Sequence, residues 1–352
     1  MSFTENDYLA WYMPRMMRHD GSINLHASGV PSLTPQDLNV PDGDPWEMDR
    51  RFEAALAEWL GIPPEEVLFT PGATGGTLLA LLALARSGSE ALVESPIYEP
   101  MLRQAGRLNP VRRLYRNPRD RWRLPMEEAR SAIGRDTAIV MITEPHNPSG
   151  VLSPREDVLE LARAAARHRA IVLVNEVYRG YTHAPSYHAA ADNIVVVSSL
   201  SKLCGAYWAR LGWLSGRPEL VRRLRMAHMN LGMATRCAGA IGLAVLDKID
   251  GLVERARGIS AQGIPIVDAW VRAHSGYGWN PPDGPGYGCI KLPGNVDDLA
   301  LAERLHDEGE VLLVPGTFFE APGMVRVSWI QSGTRLEEGL DHLARAVATP
   351  AV

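Results

Sequence analysis

Lys202 stands at the end of a serine-rich turn, Ser198-Ser199-Leu200-Ser201-Lys202, and Arg210 follows eight residues later. A continuous apolar run, Ile194-Val195-Val196-Val197, delivers the chain into that turn as a buried strand would. Hydroxyls and a guanidinium close to an amine suit a phosphate-bearing aldehyde. The phosphate takes the hydroxyls and the two-pronged Arg fork, while the amine condenses with the carbonyl. Ser-x-Ser-Lys alone is a weak motif; the strand before it and Arg210 after it add the weight. Composition adds more. Of 36 basic residues only three are lysines, Lys202, Lys248 and Lys291, so a lysine kept in such a turn points to use of its amine. Lys248 and Lys291 read as ordinary surface residues.

Other turns with chemical potential follow strand-like runs. Thr70-Pro71-Gly72-Ala73-Thr74-Gly75-Gly76 joins a strand to a helix, where free backbone N–H groups and the positive helix end suit an anion. Ser95-Pro96-Ile97-Tyr98 presents an aromatic ring, and Glu144-Pro145-His146-Asn147-Pro148-Ser149-Gly150 is an Asn-Pro turn. Asn175-Glu176-Val177-Tyr178 closes another strand. Val314-Pro315-Gly316-Thr317-Phe318-Phe319 and Arg326-Val327-Ser328-Trp329 lie near the C-terminus, and Ser28-Gly29-Val30-Pro31 near the N-terminus. Each alone is an ordinary turn; their order and spacing are not ordinary.

Together these segments resemble the fold-type I enzymes of pyridoxal 5'-phosphate (PLP), specifically the class I/II aminotransferase family, over roughly residues 24 to 345. The resemblance implies an amino-acid aminotransferase with PLP held on Lys202 as a Schiff base. Lys202 would then act as general base at the substrate Cα. It implies that Ala73, Thr74, Ser199, Ser201 and Arg210 anchor the phosphate and that Tyr98 stacks on the pyridine ring. Asn147 and Tyr178 would hold the 3'-oxygen. Arg326 would grip the substrate α-carboxylate, with Gly29 and Asn147 also at the substrate. Arg236 is a candidate side-chain ligand, with a surface or interface arginine as the plainer reading. Trp11 and Tyr12 either line the entrance or cap the core. Other PLP reactions on an amino acid, namely elimination, replacement or cyclisation, would use the same residues. A PLP-binding protein without turnover is the third reading.

The chain departs from the family at two places. Asn175 stands where a carboxylate would keep the pyridine nitrogen protonated, so either the enzyme runs with a weaker electron sink or an Asp parent has been substituted. Glu176 does not replace it, because neighbouring strand residues point to opposite faces. The tyrosine that family members pass to the neighbouring subunit's phosphate is also missing. Asp42-Gly43-Asp44-Pro45-Trp46 occupies that region.

These residues need a frame. Short β-branched runs (Val67–Thr70, Ala91–Glu94, Ala138–Ile142, Ile171–Val174, Ile194–Val197) alternate with helical patterns near 75–86 and 155–169. That alternation predicts an α/β fold with a mostly parallel sheet between helices. From about Pro218 to Ser275 the pattern is helical, and a Gly/Pro-rich connector, Asn280 to Gly286, leads to a smaller α+β unit. The expected division is a leading segment 1–44 packing with the small unit, a large PLP-binding domain 45–280, and a small domain 281–352.

Composition bounds the rest. With 352 residues, 46% apolar, and a net charge of -5, nothing suggests a nucleic-acid or membrane partner. Cys204, Cys237 and Cys289 follow no metal spacing, and a reducing cytoplasm is the default. The expected partners are a small amino acid, a 2-oxo acid, and a second copy in a homodimer; the last rests on resemblance.

Overall fold

The computed structural model describes residues 7–16, 21–86, 88–232, 238–309, 311–331 and 333–349. Arg236 and Cys237 therefore lie outside the described residues. The frame is a seven-stranded sheet in the order Val67–Pro71, Leu211–Gly216, Ile194–Ser199, Ile171–Asn175, Thr137–Thr143, Glu90–Ser95, Val111–Tyr115. All strands run parallel except Leu211–Gly216, which is antiparallel to both neighbours. The three central strands are buried along their whole length, as their unbroken apolar runs require.

Two strands were not legible as such. Leu211–Gly216 carries two glycines and a serine among six residues, which dilutes the apolar signal. Val111–Tyr115 is the charged edge, where Arg112 pairs with Glu90 at 2.9 Å and Arg113 with Glu320 at 2.8 Å. Charge on an edge strand guards its open hydrogen-bonding groups.

Helix boundaries follow local chemistry. The helix Pro45–Leu60 starts where Asp44 Oδ1 accepts the Glu47 N–H at 3.0 Å and stops at Gly61, which is left-handed. The helix after the first strand runs Gly72–Leu84, starting three residues earlier than the sequence pattern indicates. Its first turn is the glycine-containing turn itself.

A four-stranded antiparallel sheet (Val314–Pro315, Met324–Ser328, Tyr287–Lys291, Gly278–Trp279) and the helices Asp298–Asp307 and Gly333–Ala348 form the closing unit. The leading segment joins it: Ile23–Asn24 pairs in parallel with Val311–Leu312. The helix Ile249–Ala273 serves both units. Its Ile249 and Ala256 pack with Phe52, Leu56 and Leu203, while Val267, Trp270 and Val271 pack with Leu301, Val325 and Leu336. Among the described residues no helix is long and apolar enough to cross a membrane.

Candidate active site

Parallel strands end together, and this brings distant residues into register. Thr143 pairs with Asn175, and Asn175 with Val197, two residues before Ser199. The cavity lies beyond these carboxyl ends, where open α/β sheets take their ligands. Lys202, Ala73, Thr74, Tyr98, Asn147, Asn175, Tyr178, Ser199, Ser201, Arg210 and Arg326 all line one cavity of about 150 Å³, and Gly29 does not.

At one end the helix Gly72–Leu84 begins. Its first N–H groups have no partner within the helix. Gly72 has φ +70, and a Cβ there would stand 2.7 Å from Arg210 Nη2. The guanidinium thus lies against the helix start, and only glycine admits it so close. Ser201 Oγ is buried without a hydrogen-bond partner among the described residues. An unspent hydroxyl, free helical N–H groups and an Arg fork are the donor set a phosphate monoester takes. The residues present fit PLP.

Lys202 lies between this end and Arg326. Burial, and then the charges of Arg326 and Arg210, pull its amine down to about 7. An amine so placed is largely neutral near neutral pH, and therefore nucleophilic. The Lys202 backbone is pinned: its carbonyl accepts the Val30 N–H at 3.1 Å and the Tyr181 hydroxyl at 2.6 Å. Gly29 belongs to this support. A Cβ on it would meet Lys202 Cα at 2.8 Å and the Tyr207 hydroxyl closer still, at 2.4 Å. The structure places Gly29 behind the lysine, and its neighbour Ser28 in the cavity wall.

Arg326 is buried at the far end. Its Nη1 donates to Asn147 Oδ1 at 3.1 Å and its Nη2 to the His26 carbonyl at 3.0 Å, and its Nε has no hydrogen-bond partner among the described residues. The Tyr178 hydroxyl donates to Ser28 Oγ at 3.0 Å. Asn175 accepts the Val177 N–H at 3.0 Å and donates to the Met101 sulfur at 3.2 Å. Glu176 points elsewhere: its carboxylate takes the Tyr187 N–H and the Ser186 hydroxyl, outside the cavity.

Supports behind the cavity join separate loops. His146 is wholly buried, with Nε2 2.9 Å from the Pro96 carbonyl and Nδ1 2.8 Å from Ser149 Oγ. It ties the turn bearing Asn147 to the segment bearing Tyr98. Beneath them Arg116 bridges Glu94 at 2.7 Å and Glu144 at 3.0 Å, all three fully buried. One cation faces two carboxylates there, and burial pushes Glu94 up to about 7.

Sequence reasoning missed part of the lining. Tyr8, Thr77, Met101, Thr143 and Tyr207 all face the cavity. The spacing of Tyr8 and Tyr12 puts both on one helix face, but nothing local says what that face meets. Trp11 and Tyr12 part company. Tyr12 lines the cavity, whereas Trp11 packs in the core against Phe318. Trp46 is 58% exposed in the first turn of its helix.

A sequence model described as aminotransferase class I and II matches residues 43–347. The chain belongs to that family, and it is a PLP-dependent transferase acting on an amino acid. Among curated relatives, the aspartate aminotransferase of Thermotoga maritima is 26% identical over 304 residues, covering 80% of this chain and 75% of that protein. The aspartate/prephenate aminotransferase of Thermus thermophilus is also 26% identical, covering 82% and 77%. A PLP-dependent aminotransferase from Streptococcus suis shares the fold, with a TM-score of 0.88 at 23% identity, covering 99% of this chain and 98% of that one.

Proposed function

We propose that this chain moves the α-amino group of an amino acid to a 2-oxo acid, with Lys202 both as the attachment point of PLP and as the proton carrier. The observation that supports this best is the neutral-leaning amine of Lys202, set between an anion-binding helix start and a buried guanidinium. When bound, PLP supplies the electron sink that stabilises negative charge at the substrate Cα. The protein's residues do the rest. Arg326 takes the α-carboxylate in two parallel charge-assisted bonds and fixes the amino acid's orientation. Lys202 would take the proton from Cα and deliver it across the substrate nitrogen to the carbon that had been the cofactor's aldehyde, two bonds away. Ala73, Thr74, Ser199, Ser201 and Arg210 hold the phosphate, Tyr98 covers the ring, and Asn147 and Tyr178 hold the phenolic oxygen. Burial of the cavity keeps water from the reacting carbon.

The test is stoichiometry. One amino acid with the loaded protein is expected to yield one matching 2-oxo acid and no free ammonia. Release of pyruvate or ammonia instead would assign an elimination and refute transfer. The relatives are aspartate and aspartate/prephenate aminotransferases, which makes aspartate a natural comparison substrate.

The same reading includes a cytoplasmic homodimer. Support comes from exposed apolar side chains on the helix Pro218–Leu231, where Met226 is 62% and Met229 75% exposed. A solution mass of two chains is expected for the loaded protein, and a monomer mass would overturn the dimer. It also includes the boundaries at 44 and 280, with the helix Ile249–Ala273 as the hinge-like element shared by both units.

A further inference from the structure

We propose that Arg116 is a positioning residue for the bound cofactor, setting from behind the cavity the two loops that carry Tyr98 and Asn147; this rests on the cofactor site read above. Arg116 follows the edge strand Val111–Tyr115, yet its guanidinium turns inward and is fully buried. Its Nη2 meets Glu94 Oε2 at 2.7 Å and Glu144 Oε1 at 3.0 Å. Its Nη1 donates to Ser153 Oγ at 2.9 Å and to the Trp122 carbonyl at 3.0 Å. Its backbone N–H goes to the Ser95 carbonyl at 2.7 Å. The carboxylates carry these links onward. Glu94 accepts the Thr143 N–H at 2.6 Å, and Glu144 accepts the Ser153 N–H at 2.9 Å. Thr143 lines the cavity, Glu144 opens the turn that holds Asn147, and Ser95 opens the segment that holds Tyr98. Arg116, Glu94 and Glu144 are not among the described lining residues.

A buried ion cluster contributes little net stability over apolar residues of the same volume, because desolvation offsets the attraction. What it has that apolar packing lacks is direction: a planar guanidinium fixes its acceptors in angle as well as distance. His146 adds a second rigid tie. Its Nε2 faces the Pro96 carbonyl, which has no proton to give, so the ring proton sits on Nε2 and Nδ1 accepts the Ser149 hydroxyl. Burial, and then the charge of Arg116, hold this imidazole well below its usual range and keep it neutral. One imidazole thus links Pro96, two residues before Tyr98, to the turn in which Asn147 is the next residue. It holds the ring contact and the 3'-oxygen contact at a fixed separation, while the guanidinium orients both loops. A displacement of about 1 Å in such a frame costs on the order of 10² in rate.

Arg116→Lys keeps the charge opposite the two carboxylates and loses the planar fork. It is expected to weaken PLP binding at least about tenfold and to change the circular dichroism of bound PLP. It is also expected to lower kcat by about 10²-fold, with KM for the amino acid changed less than about threefold. The melting temperature of the apoprotein is followed beside these. A lower melting temperature with affinity, dichroism and kcat unchanged is a merely structural role and overturns the proposal. Ser153→Ala removes one contact each from Arg116 and Glu144 and leaves the charges paired. It is expected to move the same readouts in the same direction by less, and unchanged readouts there overturn the proposal even if Arg116→Lys does not fold. His146→Gln keeps an N–H for the Pro96 carbonyl and is expected to retain what His146→Leu loses; equal loss in both overturns the tie. Asn147→Ala tests the site reading separately, since neither affinity nor dichroism requires turnover. If it leaves bound PLP unchanged, the site reading fails and the proposal with it. If it changes bound PLP while Arg116→Lys and Ser153→Ala do not, the proposal alone fails.

Discussion

Lys202→Ala is expected to lower amino-group transfer by at least about 10²–10⁴-fold, the range lost with a positioned general base. It is also expected to abolish covalent retention of PLP. The physical basis is that no other amine can take over. Lys248 is exposed and its amine donates to the Asp37 carbonyl, and Lys291 is exposed on the strand Tyr287–Lys291. Borohydride reduction of the loaded protein, followed by peptide mapping, is expected to find the pyridoxyl group on Lys202. A label on Lys248 or Lys291 would remove the assignment. The sign of the pH dependence follows from the lowered amine. Attachment needs the neutral form, and burial with two nearby guanidinium charges brings that form in above about 7. Covalent uptake of PLP by the apoprotein is thus expected to rise through pH 7 and then level off. An ordinary lysine would still be climbing near its usual value of about 10.4.

Asn175→Asp is expected to raise exchange of the substrate Cα proton with solvent by about 10- to 1000-fold, because a facing carboxylate shifts a buried partner's pKa by about 1–3 units. In the proposed arrangement this residue faces the cofactor's ring nitrogen. The present amide spends its N–H on the Met101 sulfur, a weak acceptor, so it is easily re-aimed. A carboxylate in the same place keeps the Val177 N–H but gains nothing from a thioether. Its charge would be met only if the ring nitrogen takes up a proton, which is the state that strengthens the electron sink. A site built around a neutral ring would respond in the other direction, with lower exchange. Equal exchange in both proteins at full loading would show that residue 175 does not face the ring. The roles proposed for Asn147 and Tyr178 would weaken with it, since Asn175 ends one strand and the other two lie in the turns that follow that strand and its neighbour.

What was legible in the sequence was whatever depends on local chemistry and on order along the chain. Three apolar runs became the central buried strands, because a strand covered on both faces needs apolar residues at every position. Lys202 stood out from a nearly lysine-free background, and the Asn175-for-Asp change is visible without coordinates. The family followed from the turns at those strand ends, taken in sequence.

The tertiary structure decided what depends on distance in space. Leu211–Gly216 and Val111–Tyr115 are strands because their neighbours supply hydrogen bonds, while their own glycines and arginines hide the pattern. Gly29 belongs behind Lys202 rather than in the lining, a placement set by contacts to the Lys202 backbone and Tyr207 far along the chain. The same holds for Tyr8 and Tyr12. Their spacing gives them a common helix face, but only the packing of that helix against Glu99, Arg103 and Phe318 turns it toward Arg326. A helix sequence specifies which residues share a side. The rest of the chain specifies what that side meets, and for this protein it meets the cavity that Arg326 also lines.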